Sequence, residues 1–501
     1  MNLFRAFATV GGYTMLSRIL GFVRDILIAG TLGAGPVADA FFVAFKLPNF
    51  FRRLFAEGAF NAGFVPLFSD LLANNGPAQA RAFAEQALSF LLLTLFIFVT
   101  LAQLTMPWLM QALAPGFVDD PERFDLAVAF TRITFPYLLF ISLVSLMGGV
   151  LNSLQRFAAV AATPVLLNIC LIAAITLLSP HLPSPGHALA WGVAVAGVVQ
   201  LVWLSIACQR AGMGLRLPRP RLTPKIRELL RLMLPAALGA GVVQVNLVID
   251  IILASLLPKG SVSFLFYADR LNQLPIGVVG VAVGTAILPL LSRLVAQKDQ
   301  SAALQALNRA IELTLFLALP AMFAFLLTAD ELILTLFQRG QFDAAAVRAT
   351  AFALTAYAVG LPAYVLVKVL GPAFFARRDT RTPVLVGIGA MVVNVILNLI
   401  LMQFLAHAGL ALATAIAAWL NVGLLSWILY HRGDLVPDHR LIQRLGRALG
   451  AALIMTLILW WLKDLLAAQF LGDGEIQRIL ALAVLVAAGM LSYAVSAVLL
   501  R

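Results

Sequence analysis

Apolar residues in this chain gather into runs that recur at intervals of roughly 30 to 40 residues, each near the roughly 20 residues one bilayer crossing needs. Hydropathy and turn residues predict fourteen helical spans, at 8–33, 37–71, 79–112, 126–151, 158–179, 187–209, 225–257, 262–295, 302–328, 346–371, 381–404, 408–431, 441–464 and 477–500. The gaps between them alternate in character. Arg210, Arg216, Arg219, Arg221, Lys225, Arg227 and Arg231 cluster around the link after the sixth span. Arg377, Arg378 and Arg381 precede the eleventh, and Arg440, Arg444 and Arg447 open the thirteenth. The intervening gaps are poor in cations and partly acidic, as at Asp119, Asp120, Glu122 and Asp125, or Asp330, Glu331 and Asp343. Basic loops stay on the cytoplasmic side, so the alternation predicts both termini inside.

Compared with itself, the chain repeats at an offset of about 223 residues, the mark of a duplicated transporter half. Phe64-Val65-Pro66-Leu67 answers Ile287-Leu288-Pro289-Leu290, and Thr163-Pro164-Val165-Leu166 answers Thr382-Pro383-Val384-Leu385. Gly186 with Ala188-Leu189-Ala190 answers Gly409 with Ala411-Leu412-Ala413. Six spans per repeat is an even number, so both copies cross with the same polarity. The expected architecture is an all-α membrane protein: a lobe over 1–215, a second over 216–435, and two further helices over 436–501 outside the repeat.

Composition agrees with a membrane setting. Of 501 residues, 62% are hydrophobic and 12% charged, far from the balance of a soluble domain. A formal charge of +12 would suggest nucleic acid as a partner of a soluble protein, but here topology accounts for the cations, and no nucleic acid is expected. Arg5 followed by an apolar run looks like a signal peptide, yet Arg18, Arg24 and Asp25 interrupt the run, so no cleavage is expected. Cys170 and Cys208 both fall inside predicted spans, which excludes a disulfide framework or cysteine metal site.

Charge within the spans is unevenly distributed, and each such group costs at least ~2.5 kcal/mol unless it lines water or pairs. The first span carries Arg18, Arg24 and Asp25; the second carries Asp39, Lys46, Arg52, Arg53 and Glu57; the eighth carries Asp269 and Arg270. Asp39, Lys46 and Arg53 are seven residues apart and Glu57 is one turn beyond, so a straight helix sets all four along one stripe. Pro48 is expected to kink that helix and swing Arg52 inward. Six cations against four anions make a net positive cavity. Guanidinium forks grip phosphate oxygens in pairs, which suits a phosphate or pyrophosphate cargo better than a cationic drug.

A second set is oxygen-rich. Asp250 sits in the seventh span with no cation close in sequence, Asn394 and Asn398 share one face of the eleventh, and Thr414 of the twelfth is expected at similar depth. Such hard donors suit an alkali cation such as Na⁺; the alternative is no cofactor, with Asp250 protonated and hydrogen-bonded to one asparagine.

Several of these residues belong to longer motifs. Ser17-Arg18-Ile19-Leu20-Gly21-Phe22-Val23-Arg24-Asp25, and Asp39 to Asn49 running on through Arg52-Arg53 to Glu57-Gly58-Ala59-Phe60, resemble the signature of the MurJ/MviN family. Tyr267-Ala268-Asp269-Arg270-Leu271 and Arg378-Asp379-Thr380-Arg381-Thr382-Pro383 agree with it, and the resemblance extends over essentially the entire chain. It implies a non-enzymatic flippase of the multidrug/oligosaccharidyl-lipid/polysaccharide exporter superfamily. Its cargo would be lipid II, the undecaprenyl-pyrophosphate-linked muropeptide, and its place the bacterial inner membrane among membrane lipids. It also implies essential roles for Arg18, Arg24, Arg52 and Arg270, with Asp39 and Glu57 as their partners. The alternative within the superfamily is a cation-coupled drug or oligosaccharide-lipid exporter, which would favour an acidic or neutral cavity. A membrane-embedded glycosyltransferase would need a larger outer domain than loops of about 20 residues provide.

Overall fold

The computed structural model describes residues 3–53, 60–472 and 474–500, and every regular element among them is helical. Contacts divide the chain into two compact units, Met1–Val262 and Ser263–Arg501.

The first unit runs α1 (Leu3–Leu32), α2 (Pro36–Phe51), α3 (Asn61–Asn74), α4 (Pro77–Leu104), α5 (Met106–Leu113), α6 (Pro121–Thr134), α7 (Tyr137–Ser153), α8 (Phe157–Ala161), α9 (Thr163–Ala173), α10 (Pro185–Arg210) and α11 (Pro224–Ser255). Its helices begin where the sequence supplies a first-turn proline, as at Pro36, Pro77, Pro121 and Pro185, because proline's missing N–H costs nothing there. Inside α2 the same residue has the opposite effect. Pro48 has no N–H to give the Ala44 carbonyl, and the Thr134 hydroxyl of α6 donates to that oxygen instead, at 3.2 Å. The helix stays packed through the break: Phe41, Phe42 and Ala44 are fully buried, and α2 lies along α6.

The second unit runs α12 (Ser261–Pro275), α13 (Val281–Ala296), α14 (Gln300–Phe337), α15 (Ala344–Phe375), α16 (Arg381–His431), α17 (His439–Leu465), α18 (Ala467–Leu471) and α19 (Glu475–Leu499). A wide helical turn, Ile276–Gly280, joins α12 to α13 directly after Pro275. α16 runs through the gap expected between 404 and 408, and reverses there at Ala406 (φ 47°, ψ −127°). No glycine marks that reversal, but Gly409 allows it: a Cβ there would stand 2.4 Å from the Leu401 carbonyl oxygen. α14 continues nine residues past the expected end at 328, kinked at Thr328 (φ −114°, ψ 19°). α17 packs on α14 and α19, and Tyr493 of α19 donates to the Phe316 carbonyl at 2.6 Å.

Among the described residues, nine helices are long and apolar enough to cross a membrane. In α14 and α16 only 22% of the most apolar stretch is buried within the protein. Helices this apolar that leave most of that face uncovered are solvated by hydrocarbon, where intrahelical bonding satisfies the backbone.

Candidate functional site

Two buried charge clusters lie in the first unit, each joining segments far apart in sequence. The first is built on α1. Arg24 is 6% exposed and Asp25 3%, and the Arg24 fork closes on its neighbour, with Nε 3.0 Å and Nη2 2.7 Å from Asp25 Oδ1. The other edge of the fork, Nη1, donates to Asn168 Oδ1 of α9 at 2.8 Å. Asn168 is itself held by donating Nδ2 to the Ser17 carbonyl at 2.9 Å, about two turns back along α1 from Arg24. Gly21 faces this amide, and a Cβ there would stand in ordinary contact with Asn168 at 3.5 Å. The Arg24 guanidinium is therefore aimed and neutralised by groups of the protein itself. A charged fork so held keeps its geometry at a lower ordering cost than a solvated one.

The second cluster begins at Asp39, in the first turn of α2, whose side chain is wholly buried. It pairs with Arg123 of α6 at 3.3 Å and accepts from the Gly260 amide at 2.7 Å. Gly260 adopts φ 91°, a left-handed conformation that glycine takes without steric cost, and this turn points its N–H at the carboxylate. Arg123, 3% exposed, stacks on Phe117 with its guanidinium carbon 3.8 Å from the ring centre. Around this pair the segments 114–120 and 255–260 lock together. Lys259 bridges to Asp120 at 2.9 Å, and the Gly116 amide donates to Ser255 Oγ at 3.3 Å. The approach is close enough that a Cβ at Gly116 would fall 2.3 Å from the Ser255 carbonyl oxygen.

The other expected cargo residues are less enclosed. Lys46 is half-buried, Arg52 donates Nε to Asn49 Oδ1 at 3.3 Å, and Arg18 and Arg53 are exposed. Glu57 lies outside the described residues. In the second unit Arg270 lies over the Phe266 ring at 4.5 Å, and Asp269 accepts from Gln273. Of the oxygen-rich set, Asp250 accepts from Asn246 at 3.4 Å in the first unit. In the second, Asn394 donates to Thr414 Oγ1 at 3.4 Å and Asn398 donates to Asn394 Oδ1 at 3.1 Å.

Two residues of these clusters, and one cation of the second unit, were not singled out from sequence. Arg123 sits in an acidic stretch that reads as an outer loop; Asn168 is a lone amide in an apolar run; Lys368 is a lone cation in the middle of α15. Lys368 crosses Gly280, where a Cβ would stand 2.8 Å from its Cδ. Pro372 cannot bond the Lys368 carbonyl, and Gly284 packs against that freed oxygen, with room for a Cβ only at 3.2 Å.

The charge pattern thus joins buried guanidinium–carboxylate pairs to an apolar helical frame, which leaves the function to be decided by relationship. The sequence profile of the lipid II flippase MurJ family matches residues 28–480. The chain belongs to the MurJ family. A protein of Rhizobium meliloti (strain 1021) described as a probable lipid II flippase MurJ is 44% identical over 498 residues, covering 98% of this chain and 93% of that one. The lipid II flippase MurJ of Burkholderia cenocepacia is 39% identical over 465 residues, covering 92% and 90%. Among solved structures, a lipid II flippase MurJ in an inward closed conformation superposes with a TM-score of 0.79 at 25% identity, covering 97% of each chain. A multidrug resistance MATE family transporter of the MOP superfamily shares the fold alone, at 16% identity and a TM-score of 0.68. MurJ proteins are transporters rather than a catalytic family, and no covalent step is assigned to these residues.

Proposed function

We propose that this chain moves lipid II from the cytoplasmic to the periplasmic leaflet of a bacterial inner membrane during peptidoglycan synthesis. The observation that carries the reading is the match, over nearly the whole chain, to relatives named for that activity. It is supported by arginine buried in an otherwise apolar frame, as lipid II carries a pyrophosphate on a long polyprenyl tail.

In this reading fourteen spans form two six-span lobes, over 1–215 and 216–435, with both termini cytoplasmic, and alternate between inward- and outward-open states. The residues over 436–501 form a groove for the tail. Arg18, Arg24, Lys46, Arg52, Arg53 and Arg270 take the pyrophosphate, with Asp25, Asp39, Glu57 and Asp269 as their exchangeable counter-charges. Cargo phosphate replaces Asp25 against a fork that Asn168 keeps aimed, so one charge pair is traded for another rather than a bare arginine desolvated. The Asp39–Arg123–Gly260 contact is the outer closure and breaks when the cavity opens outward. Asn394, Asn398 and Thr414 supply hard oxygens for a Na⁺ ion that biases the states.

The test is flipping of defined lipid II by the purified protein in vesicles, with and without a membrane potential or a Na⁺ gradient at constant ionic strength. Wild type flips lipid II, and Arg24→Ala, Arg52→Ala and Arg270→Ala each abolish flipping at normal protein levels. Full activity of the triple variant overturns the arginine assignment. Transport of a cationic drug in place of lipid II selects the drug-exporter alternative. A rate indifferent to Na⁺ removes the ion.

A further inference from the structure

One cavity of the first unit has no part in the clusters above. Of about 370 Å³, it opens between α1, α7, α8 and α10, with Tyr13, Arg156, Phe157, Trp203, Ile206 and Arg210 among its walls. That volume is at the small end of the range for ligand pockets, roughly 300–1,000 Å³. Its walls are formed with care. Trp203 donates its indole N–H to the Ala159 carbonyl at 3.0 Å, which fixes the ring. Arg156 follows Gln155, a non-glycine residue in the left-handed region (φ 58°), and the Arg156 amide donates to the Leu151 carbonyl at 2.8 Å to close that turn.

The charge here is uncompensated. Arg156 and Arg210 are both exposed, and among the described residues neither guanidinium has a hydrogen bond or ion pair. No acidic residue lines the cavity. From it an exposed apolar stripe runs back along α10 through Ile206, Val202, Val199 and Val195, which are 41%, 52%, 36% and 48% exposed and spaced three and four residues apart. The site is thus cationic and aromatic at its mouth and continuous with a hydrocarbon-facing track.

We propose that this cavity binds an anionic glycerophospholipid as a resident ligand, with its phosphate between Arg156 and Arg210 and an acyl chain along Val195–Ile206. Basic pockets between spans at the headgroup level take anionic lipids in this way. The lipid bridges α1 to α8 and α10, and so adds to the stability of the first unit by mass action. The inference does not depend on the identity of the transported cargo.

The full-length protein in a neutral detergent tests it, using phosphatidylglycerol with brominated chains to quench tryptophan fluorescence, and Trp203→Phe to identify the part of the signal that reports this site. Phosphatidylglycerol is expected to quench Trp203 at lower concentration than brominated phosphatidylcholine. Arg156→Gln and Arg210→Gln each weaken it roughly fivefold, and the double variant roughly thirtyfold, while the exposed-linker pair Arg216→Gln/Arg219→Gln leaves it unchanged. Should the double glutamine variant fold poorly, Arg156→Lys/Arg210→Lys keeps the charge and is expected to retain the preference for phosphatidylglycerol. Equal quenching by the two lipids, or an unchanged midpoint in the double variant, overturns the proposal. Displacement by inorganic phosphate alone assigns the site to a free anion, and tighter displacement by lipid II assigns it to the cargo; either result also overturns it.

Discussion

Replacing Asp39 with asparagine is expected to loosen the contact between α2, α6 and the turn at Gly260. Asparagine keeps the shape and an oxygen for the Gly260 amide, but it withdraws the charge opposite Arg123, at a pair whose side chains are 0% and 3% exposed. Removing one member of a buried ion pair costs about 3–5 kcal/mol, since the survivor stays buried and uncompensated. Stacking of Arg123 on Phe117 is the same before and after the change and cancels from the difference. A loss of about 3 kcal/mol moves the equilibrium between closed and open contact by roughly a hundredfold. Ser261, one residue beyond the bonded amide and 2% exposed, is a suitable reporter. With Cys170 and Cys208 replaced and Ser261→Cys introduced, a water-soluble maleimide is expected to label the Asp39→Asn protein roughly a hundredfold faster than its parent, in the regime where reclosing outruns labelling. Arg123→Met alone strands the Asp39 carboxylate and has a similar effect, while Asp39→Asn/Arg123→Met together label more slowly than either single variant. Labelling rates unchanged by both single changes, or effects that simply add, would refute the assignment of this pair as a closure.

Two further outcomes follow from the same reasoning. Asn168→Ala strips the Arg24 fork of one acceptor in a site 6% exposed, and is expected to lower stability by about 1–3 kcal/mol, read as a fall in the thermal midpoint; an unchanged midpoint would mean that Asn168 does not hold the fork. At the junction before α16, the Thr382 hydroxyl and amide, joined by Arg432, hold the Asp379 carboxyl well below the usual carboxylate range. Its folded-state value is depressed, so its stabilisation is complete above the ordinary carboxyl value near about pH 4 and is lost as pH falls through the depressed one. The midpoint difference between wild type and Asp379→Ala is therefore expected to be constant near neutrality and to shrink below about pH 4; a difference growing with acidity would contradict this.

The helical, membrane-spanning character was legible because a crossing segment must be apolar along its whole length, a property carried locally. Breaks inside helices were legible only where a residue type announces them. Pro48 marks the missing backbone bond in α2, whereas Ala406 reverses α16 with an ordinary side chain, and what permits this is a close approach at Gly409 that sequence does not display. The charged residues themselves were visible, since an ionisable group in an apolar run stands out. Their partners were not. Arg123 lies 84 positions from Asp39 and Asn168 144 from Arg24, and each has an innocuous local setting: an acidic loop for one, a single amide for the other. Nor was enclosure legible along the stripe of Asp39, Lys46 and Arg53: Asp39 is wholly buried, Lys46 half-buried and Arg53 exposed.

The break at Pro48 has a mechanical consequence. An uninterrupted helix resists bending because each turn is stitched to the next by several bonds at once, but here one stitch is a hydroxyl borrowed from α6, worth only about 1 kcal/mol. Thermal energy at ambient temperature is about 0.6 kcal/mol, so α2 behaves as two stiff rods on a soft joint whose tension Thr134 sets. Asp39 lies on one rod and Arg52 just beyond the other, which lets one end be clamped while the other swings with little elastic penalty.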